Sequence, residues 1–510
     1  MPSGQSHSKR RLPKVWQFAA FGWRRLHDWP GVLHEKVQQV WWKQILVVAF
    51  FWATCLKSVN AQDFDPLESK QRSSFSIDRM QRRTFDYFWE LADPKTGLIP
   101  DRFPSQRFCS IAATGFGLTS YVIGVDKKFI TRQQAAQRVE KTLGFLLRLP
   151  QGSEPDASGH QGFFYHFLDM DSGGRYDRCE LSSIDTALLM AGVISCGSYF
   201  DQDSAIEMKI RGQAKDLFNR VQWEWMVSSN GLICMGWKPE SGFLAYHWQG
   251  YDEAILLHVL AAGSDTHPID PTTYQNYVKT YRWAQHYGQS YINFGPLFGH
   301  QYSQMYIDFR GIADSYTRVR GIDYFENSRR ATLAQWEYAK QNPKGFIGYG
   351  KNVWGLTACD GPGWGSVSYQ GKQQEVQSYS ARGISIEYDV DDGTIAPTAA
   401  GGSLPFAPEI CMPTLKHYWE GYQGRLVGKF GYFDSFNLTF PNRQSIPNNQ
   451  KGPELASSAP DIWINGDYLG IDQGPILIQS ANHQSQIVWK IMMKNQVVST
   501  GLQRLGFRKQ

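Results

Sequence analysis

The stretch Glu180–Phe200, "ELSSIDTALLMAGVISCGSYF", opens on polar and acidic residues and then runs apolar almost without interruption. From Thr186 onward it offers no polar face, so a helix formed here has to be covered on every side. Two further acids crowd its approach, Asp177 and Glu180 in "DRCE". Ser182 followed three residues later by Asp185 fits a capping box, in which both side chains satisfy orphan amides at a helix start. That gives Asp185 a structural task. Asp177 and Glu180 lie upstream of anything the cap needs.

Working outward, helical periodicity predicts segments at 75–92, 110–123, 131–149, 182–200, 203–221, 251–262, 271–287, 299–316, 322–342, 397–421 (interrupted at Pro405, Pro408 and Pro413), 472–482 and 484–495. They fall into two classes. "TRQQAAQRVEKTLGFLLRL" carries a charged face, whereas "TALLMAGVIS" and "AILLHVLAAG" are apolar all round. A dozen helices of alternating burial, without a fixed sequence period, point to an all-α fold, an (α/α)6 toroid of two concentric rings. "GRLVGKFGYFDSF" then reads as short hairpins on the rim. Inner helices of such a toroid run parallel, so their N-termini open on one face, and acids that precede an inner helix face the barrel mouth.

Bulk numbers set the boundaries. The 510 residues, 42% hydrophobic and 14% aromatic, suffice for a large core, and 48 Gly with 18 Trp suit an aromatic cleft of the kind that stacks on sugar rings. The net charge of +5 is concentrated in residues 1–61, which hold nine Lys or Arg against Asp28 and Glu35 and leave 43 basic and 45 acidic residues beyond them. No basic patch for nucleic acid is indicated. The same segment has a basic start, the apolar run "ILVVAFFWATCL" (Ile45–Leu56) and "SVNA" ending at Ala61. Residues 1–61 thus read as a signal segment cleaved before Gln62, with 62–510 as one catalytic domain in the periplasm or outside the cell. A mis-assigned start and an uncleaved membrane anchor are the alternatives. Cys109, Cys179, Cys196, Cys234, Cys359 and Cys411 show no metal-ligand spacing; they leave room for one or two disulfides, with Cys196 read as a packed thiol. No metal and no cofactor is expected, and a monomer is.

The pattern of the opening stretch recurs. Asp252 and Glu253 in "HWQGYDEAILLHVL" precede a second apolar helix, and Asp467 and Asp472 in "NGDYLGIDQGPILI" precede a third. A single acid at a helix start is ordinary, since the helix dipole favours it by about 0.3–1 kcal/mol. Three such clusters converging on one rim, among Trp237, Trp248 and Tyr251, describe a polar pocket with aromatic walls. Paired carboxylates are what glycosidic cleavage requires, one protonated to release the leaving oxygen and one ionised to activate water. Adjacent helical residues point about 100° apart, so only one of Asp252 and Glu253 reaches the pocket. Glu253 is taken as the proton donor and Asp252 as a cap. His300, Gln301, Tyr302, Asp308 and Arg310 add hydrogen-bonding groups, with His300 open to a structural or a ligand role. Asp391 and Asp392 read first as a solvated turn, with Asp392 kept as a binding candidate.

The strings "ELSSIDTALLMAG", "GWKPESGFL", "GYDEAILLHVLAAGSDTHP", "FGPLFGHQYSQMYIDFRG", "GLTACDGP", "DDGTIAPTAAGGSLPFAPE" and "GIDQGPI" closely resemble the glycoamylase-like domain of bacterial β-1,2-glucan-active enzymes, glycoside hydrolase family 144. The resemblance runs from about Phe75 to Lys494. It implies an (α/α)6 barrel, a secreted or periplasmic enzyme without metal, and endo-β-1,2-glucanase activity releasing short sophoro-oligosaccharides. Some relatives instead release sophorose from a chain end. The family's essential acids fall on Asp177, Glu180 and Glu253, and its late motif places Asp467, Asp472 and Gln473 in the pocket. "LIQSAN" after "GIDQGPI" departs from the family pattern and is expected to alter a subsite contact through Gln479–Asn482. A transglycosylase or lyase on the same toroid, and a glucan-binding module without chemistry, are the competing readings.

Overall fold

The computed structural model describes residues 74–105, 108–441 and 461–510. The targeting segment and its cleavage site lie outside the described residues. Twelve helices alternate between an outer and an inner ring. The outer ones are α1 (Ile77–Leu91), α3 (Arg132–Arg148), α5 (Ala205–Asn219), α7 (Pro271–Lys279), α9 (Tyr324–Gln341) and α11 (Pro408–Glu420). The inner ones are α2 (Ile111–Asp126), α4 (Ser183–Tyr199), α6 (Ile255–Gly263), α8 (Phe298–Tyr306), α10 (Pro397–Gly402) and α12 (Gly470–Gln484). Each inner helix contacts the next around the ring, and α12 closes it against α2. The fold is therefore an (α/α)6 barrel.

Chemistry separates the rings. Every residue of α2 from Ile111 to Gly124 and of α4 from Ser183 to Cys196 is buried, as is all of α6. Outer helices such as α3 bury one stripe only (Ala135, Val139, Leu143 and Leu146 among others) and cap themselves, here by a reciprocal Thr131–Gln134 box. The inner pair α2 and α4 meets at glycines. A Cβ on Gly192 would stand 2.1 Å from the Gly115 carbonyl oxygen, which no side chain tolerates.

Sequence periodicity misplaced a few boundaries. The segment expected as helix 271–287 leaves the helix after Lys279, and Trp283–His286 pairs with Gln289–Ile292 as a hairpin. Tyr287 and Gly288, both at positive φ, form its two-residue turn. Helix 299–316 stops at Tyr306, and 397–421 divides into α10 and α11, with Pro413 inside the second. A C-terminal helix at Gln496–Arg504, not anticipated, packs on α6. Ser182 does cap α4, accepting from the Asp185 amide at 3.2 Å, but Asp185 Oδ2 takes the Ser182 hydroxyl at 2.5 Å instead of completing a reciprocal box. All six described cysteines are free.

Short antiparallel ladders decorate the N-terminal rim of the inner ring and bring distant segments together. Arg102–Phe103 pairs with Tyr468–Leu469, Ala358–Cys359 with Ser380–Ala381, and Thr394–Ile395 with Phe436–Asn437, which pairs with Trp463–Ile464. The first ends beside Asp101 and Asp467, the second beside Asp360.

Candidate active site

The first group of acids stands where α4 and α6 begin. Glu253 is 6% exposed and its Oε2 has no hydrogen-bond partner among the described residues. Burial first, and then the neighbouring Asp252, push its carboxyl well above the ordinary range. Asp252 is itself buried and pushed up to about 7, but it is tied down: Tyr277 donates its hydroxyl to Oδ1 at 2.5 Å and the Ala254 amide donates at 3.0 Å. The Ser303 hydroxyl donates to the Glu253 carbonyl at 2.6 Å and accepts the Leu256 amide at 2.9 Å, so α8 fixes the turn that presents Glu253. Glu180 is in the opposite state. Burial opposes its charge, but His166, with Nδ1 2.9 Å from Glu180 Oε1, outweighs that and draws the carboxyl down to about 2. One mouth therefore holds a carboxyl kept protonated and a carboxylate kept ionised.

The second group gathers where α2 and α12 begin. Arg102 is buried and holds Asp360 at 2.9 Å, Asp467 at 3.3 Å and Asp101 at 3.4 Å. Asp467 also accepts the Ser105 amide at 3.1 Å. Asp434 Oδ2 accepts three donors: the Asp360 amide (2.9 Å), the Ser435 hydroxyl (3.0 Å) and Asn465 Nδ2 (2.6 Å). Its Oδ1 and Asp472 Oδ2 are buried without other partners among the described residues, and the two carboxyls share a hydrogen bond. Burial and then Asp360 push Asp434 up to about 6; burial and then Asp434 push Asp472 well above the carboxylate range. One proton shared between the pair follows, with the three donors favouring charge on Asp434. The Tyr302 phenol lies within the fields of Asp472, Tyr379, Glu253 and Asp185 and so joins the two groups.

Two carboxyls in opposed surroundings thus line the mouth of the (α/α)6 barrel, and the glycoamylase family model matches residues 245–496. That match marks a glycoamylase-like domain over residues 245–496. The exo-β-1,2-glucooligosaccharide sophorohydrolase (non-reducing end) of Parabacteroides distasonis is 27% identical over 464 residues, which are 84% of this chain and 57% of that protein. The chain thus spans 57% of the length of the curated relative it matches. The endo-β-1,2-glucanase of Chitinophaga pinensis, solved with sophorotriose and glucose, superposes with a TM-score of 0.69 at 26% identity, covering 86% of this chain and 99% of that one. A β-1,2-glucanase from Parabacteroides distasonis superposes with a TM-score of 0.70 at 25% identity over 84% of this chain and 59% of that one.

The mouth of the barrel unites Glu180, Glu253, Tyr302, Asp467 and Asp472. Asp177 is exposed on the approach loop at a φ of 52°. Several other candidates serve the scaffold. Trp248 donates to Ser183 Oγ at 2.9 Å, and Tyr251 packs between Tyr281, Tyr324 and His300. His300 is wholly buried beside the Phe294 carbonyl, and burial pulls its pKa down to about 3, which favours the neutral ring. Gln301 spans to Ala399 and Ser403, and Gln473 donates to the Tyr432 carbonyl at 2.9 Å. Trp237 opposes Leu181 across its ladder, hence shares the face opposite Glu180, and stacks on His160 at 5.0 Å. Asp308 and Arg310 pair with each other beyond the C-terminal end of α8.

Two expectations are corrected. The "DDG" turn is not solvated: Asp391 takes the hydroxyls of Tyr338 and Tyr349, both at 2.6 Å, and Asp392 forms a two-pronged buried pair with Arg382, both contacts at 2.8 Å. Burial of an acid in a Gly-rich turn needed partners far away in sequence, which periodicity does not reveal. Gln479–Asn482 sit in the buried far half of α12, with Asn482 Nδ2 on the Met305 carbonyl at 2.9 Å. At a rise of about 1.5 Å per residue they are more than two turns from the mouth, so the departure falls in the core.

Sequence reasoning passed over Asp101, Arg102, His166, Asp360, Tyr379 and Asp434. Asp101 and Arg102 in "IPDRFP" precede inner helix α2 and repeat the acid-before-helix pattern. Asp360 directly follows a rim ladder and Asp434 lies in the loop before another, and they had no such signal. Among the described residues no group of three or more His, Cys, Asp or Glu is arranged to hold a metal ion, and no helix is long and apolar enough to cross a membrane.

Proposed function

We propose that the chain is a glycoside hydrolase that cleaves β-1,2-linked glucan, with Glu253 as the proton donor to the leaving oxygen and Glu180 as the carboxylate that steers or activates water. The observation that carries this reading is the contrast in surroundings: Glu253 is buried with Oε2 unpartnered among the described residues, whereas Glu180 Oε1 lies 2.9 Å from His166 Nδ1, so burial pushes one carboxyl up and the imidazole draws the other down. Environments that drive two carboxyls apart assign the acid and the base. The substrate class rests on the named activities of the relatives, which act on β-1,2-glucan or its oligosaccharides.

Endo action, releasing short sophoro-oligosaccharides, is the mode we favour, by a single subunit. Incubation with linear β-1,2-glucan and sizing of products over time tests both points. A spread of short oligosaccharides with an early fall in polymer length supports endo action. Sophorose as the sole early product assigns exo action instead, longer products assign a transglycosylase, and binding without new reducing ends assigns a glucan-binding module. We further propose export, driven by the apolar run Ile45–Leu56, with a mature N-terminus near Gln62. N-terminal sequencing from cell fractions checks it, and a full-length cytoplasmic species alone would sink it.

A further inference from the structure

His166 belongs to none of the acid clusters visible in the sequence, yet it stands between two carboxylates. Its backbone is fixed from both sides: the amide donates to the Glu180 carbonyl at 2.9 Å, and its carbonyl accepts the Ile111 amide, the first of α2, at 3.2 Å. The ring stacks on Phe167 with centroids 3.9 Å apart. Nδ1 meets Glu180 Oε1 at 2.9 Å and Nε2 faces Asp185 Oδ1 at 3.6 Å. The Glu180 carboxylate only accepts, so Nδ1 carries the proton of that hydrogen bond, and the negative Asp185 opposite Nε2 favours a second proton there. Asp101 adds a third negative field, and Lys238 is the other cation acting on Glu180. Asp185 in turn acts on Glu253. Through Asp185 the ring is therefore linked to both carboxyls of the proposed reaction.

We propose that His166 is a positioning residue for that hydrolysis: an imidazolium clamped between Glu180 and Asp185, it keeps Glu180 a carboxylate and fixes its direction in the mouth. The proposal rests on the reading of Glu180 as the ionised partner of Glu253. Burial works against the charge on His166, but Asp185 and Glu180 override it and lift the ring to about 9, so the cation persists across the neutral range. Without it, Glu180 keeps its burial and loses its counter-charge, and takes up a proton at higher pH.

The test combines kinetics with nitrogen-15 NMR of the whole protein labelled at histidine. In the His166→Gln variant, the acid limb of the kcat profile on β-1,2-glucan should move up by one pH unit or more, while KM stays within about twofold. In wild-type protein the His166 ring should show two protonated nitrogens at pH 7.5, and its titration should fall to lower pH in Glu180→Gln, which also identifies the signal. A folded His166→Gln protein with an unmoved acid limb overturns the proposal, and so does a neutral His166 ring at pH 7.5. If His166→Gln does not fold, the wild-type ring decides alone. If wild-type protein leaves β-1,2-glucan intact, the proposed function fails, whereas the ring state still confirms or refutes the clamp.

Discussion

Replacing Glu253 by Gln keeps the side chain's shape and removes the proton that the reaction would use. A positioned general acid contributes typically about 10²–10⁴-fold, which at about 1.36 kcal/mol per tenfold is roughly 2.7–5.4 kcal/mol of barrier. The structure places the expectation in the upper half of that range. Glu253 is buried with Oε2 unpartnered, and the adjacent acid, Asp252, is held in place through Oδ1 by Tyr277 and the Ala254 amide. A fall in kcat of roughly 10³-fold or more on β-1,2-glucan, with KM changed little, is expected from reducing-end assays. A sophoroside with a nitrophenyl leaving group needs no protonation to depart, so the defect should shrink on that substrate. Stability moves the other way. Burial holds the folded pKa of Glu253 above that of an exposed glutamate, about 4.5, so the native state loses stability as pH rises past 4.5, a cost the carboxamide does not carry. Glu253→Gln should therefore melt no lower than wild type at pH 7. A folded variant with near-wild-type turnover refutes the assignment, and one that loses activity only in proportion to a lowered melting temperature assigns Glu253 to the scaffold.

Arg102→Met should be far more destructive to folding, because it strands Asp101, Asp360 and Asp467 around a buried hole; a loss of about 3–5 kcal/mol in denaturant unfolding is expected. Gly192→Ala puts a methyl against the Gly115 backbone and should destabilise by about 1–3 kcal/mol without changing KM, as read by thermal melts and kinetics. The pair His166–Glu180 sets a pH window: the Glu180 contribution is present above 4.5 and is lost as pH falls through about 2, and the His166 contribution is present below 6.5 and is lost as pH rises through about 9. The melting temperature of wild type relative to His166→Gln should accordingly narrow between pH 6.5 and pH 9, and a constant difference across that interval contradicts the ion pair. Dialysis against a chelator is expected to leave turnover intact; loss restored by one divalent ion overturns the two-carboxyl mechanism.

The sequence by itself determined the barrel and one end of its chemistry. Helices without a polar face, such as Thr186–Ser195 and Ile255–Gly263, can only be inner helices, and the acids before them can only lie at the mouth, because chain direction fixes which end of a helix a preceding residue occupies. Glu180 and Glu253 were legible for that reason. Only the tertiary structure decided how differently these acids are surrounded. Asp252 and Glu253 are adjacent in sequence and both buried, yet only Asp252 takes the Tyr277 hydroxyl. Asp434 meets Asp472 through ladders that join segments far apart in the chain, and Arg102 reaches Asp360 across 258 positions. His166 became significant only once Tyr165 bridged to Leu181 and brought the ring beside Glu180. Burial and charge pairing are set by neighbours in space, and periodicity reports only which face of an element is covered.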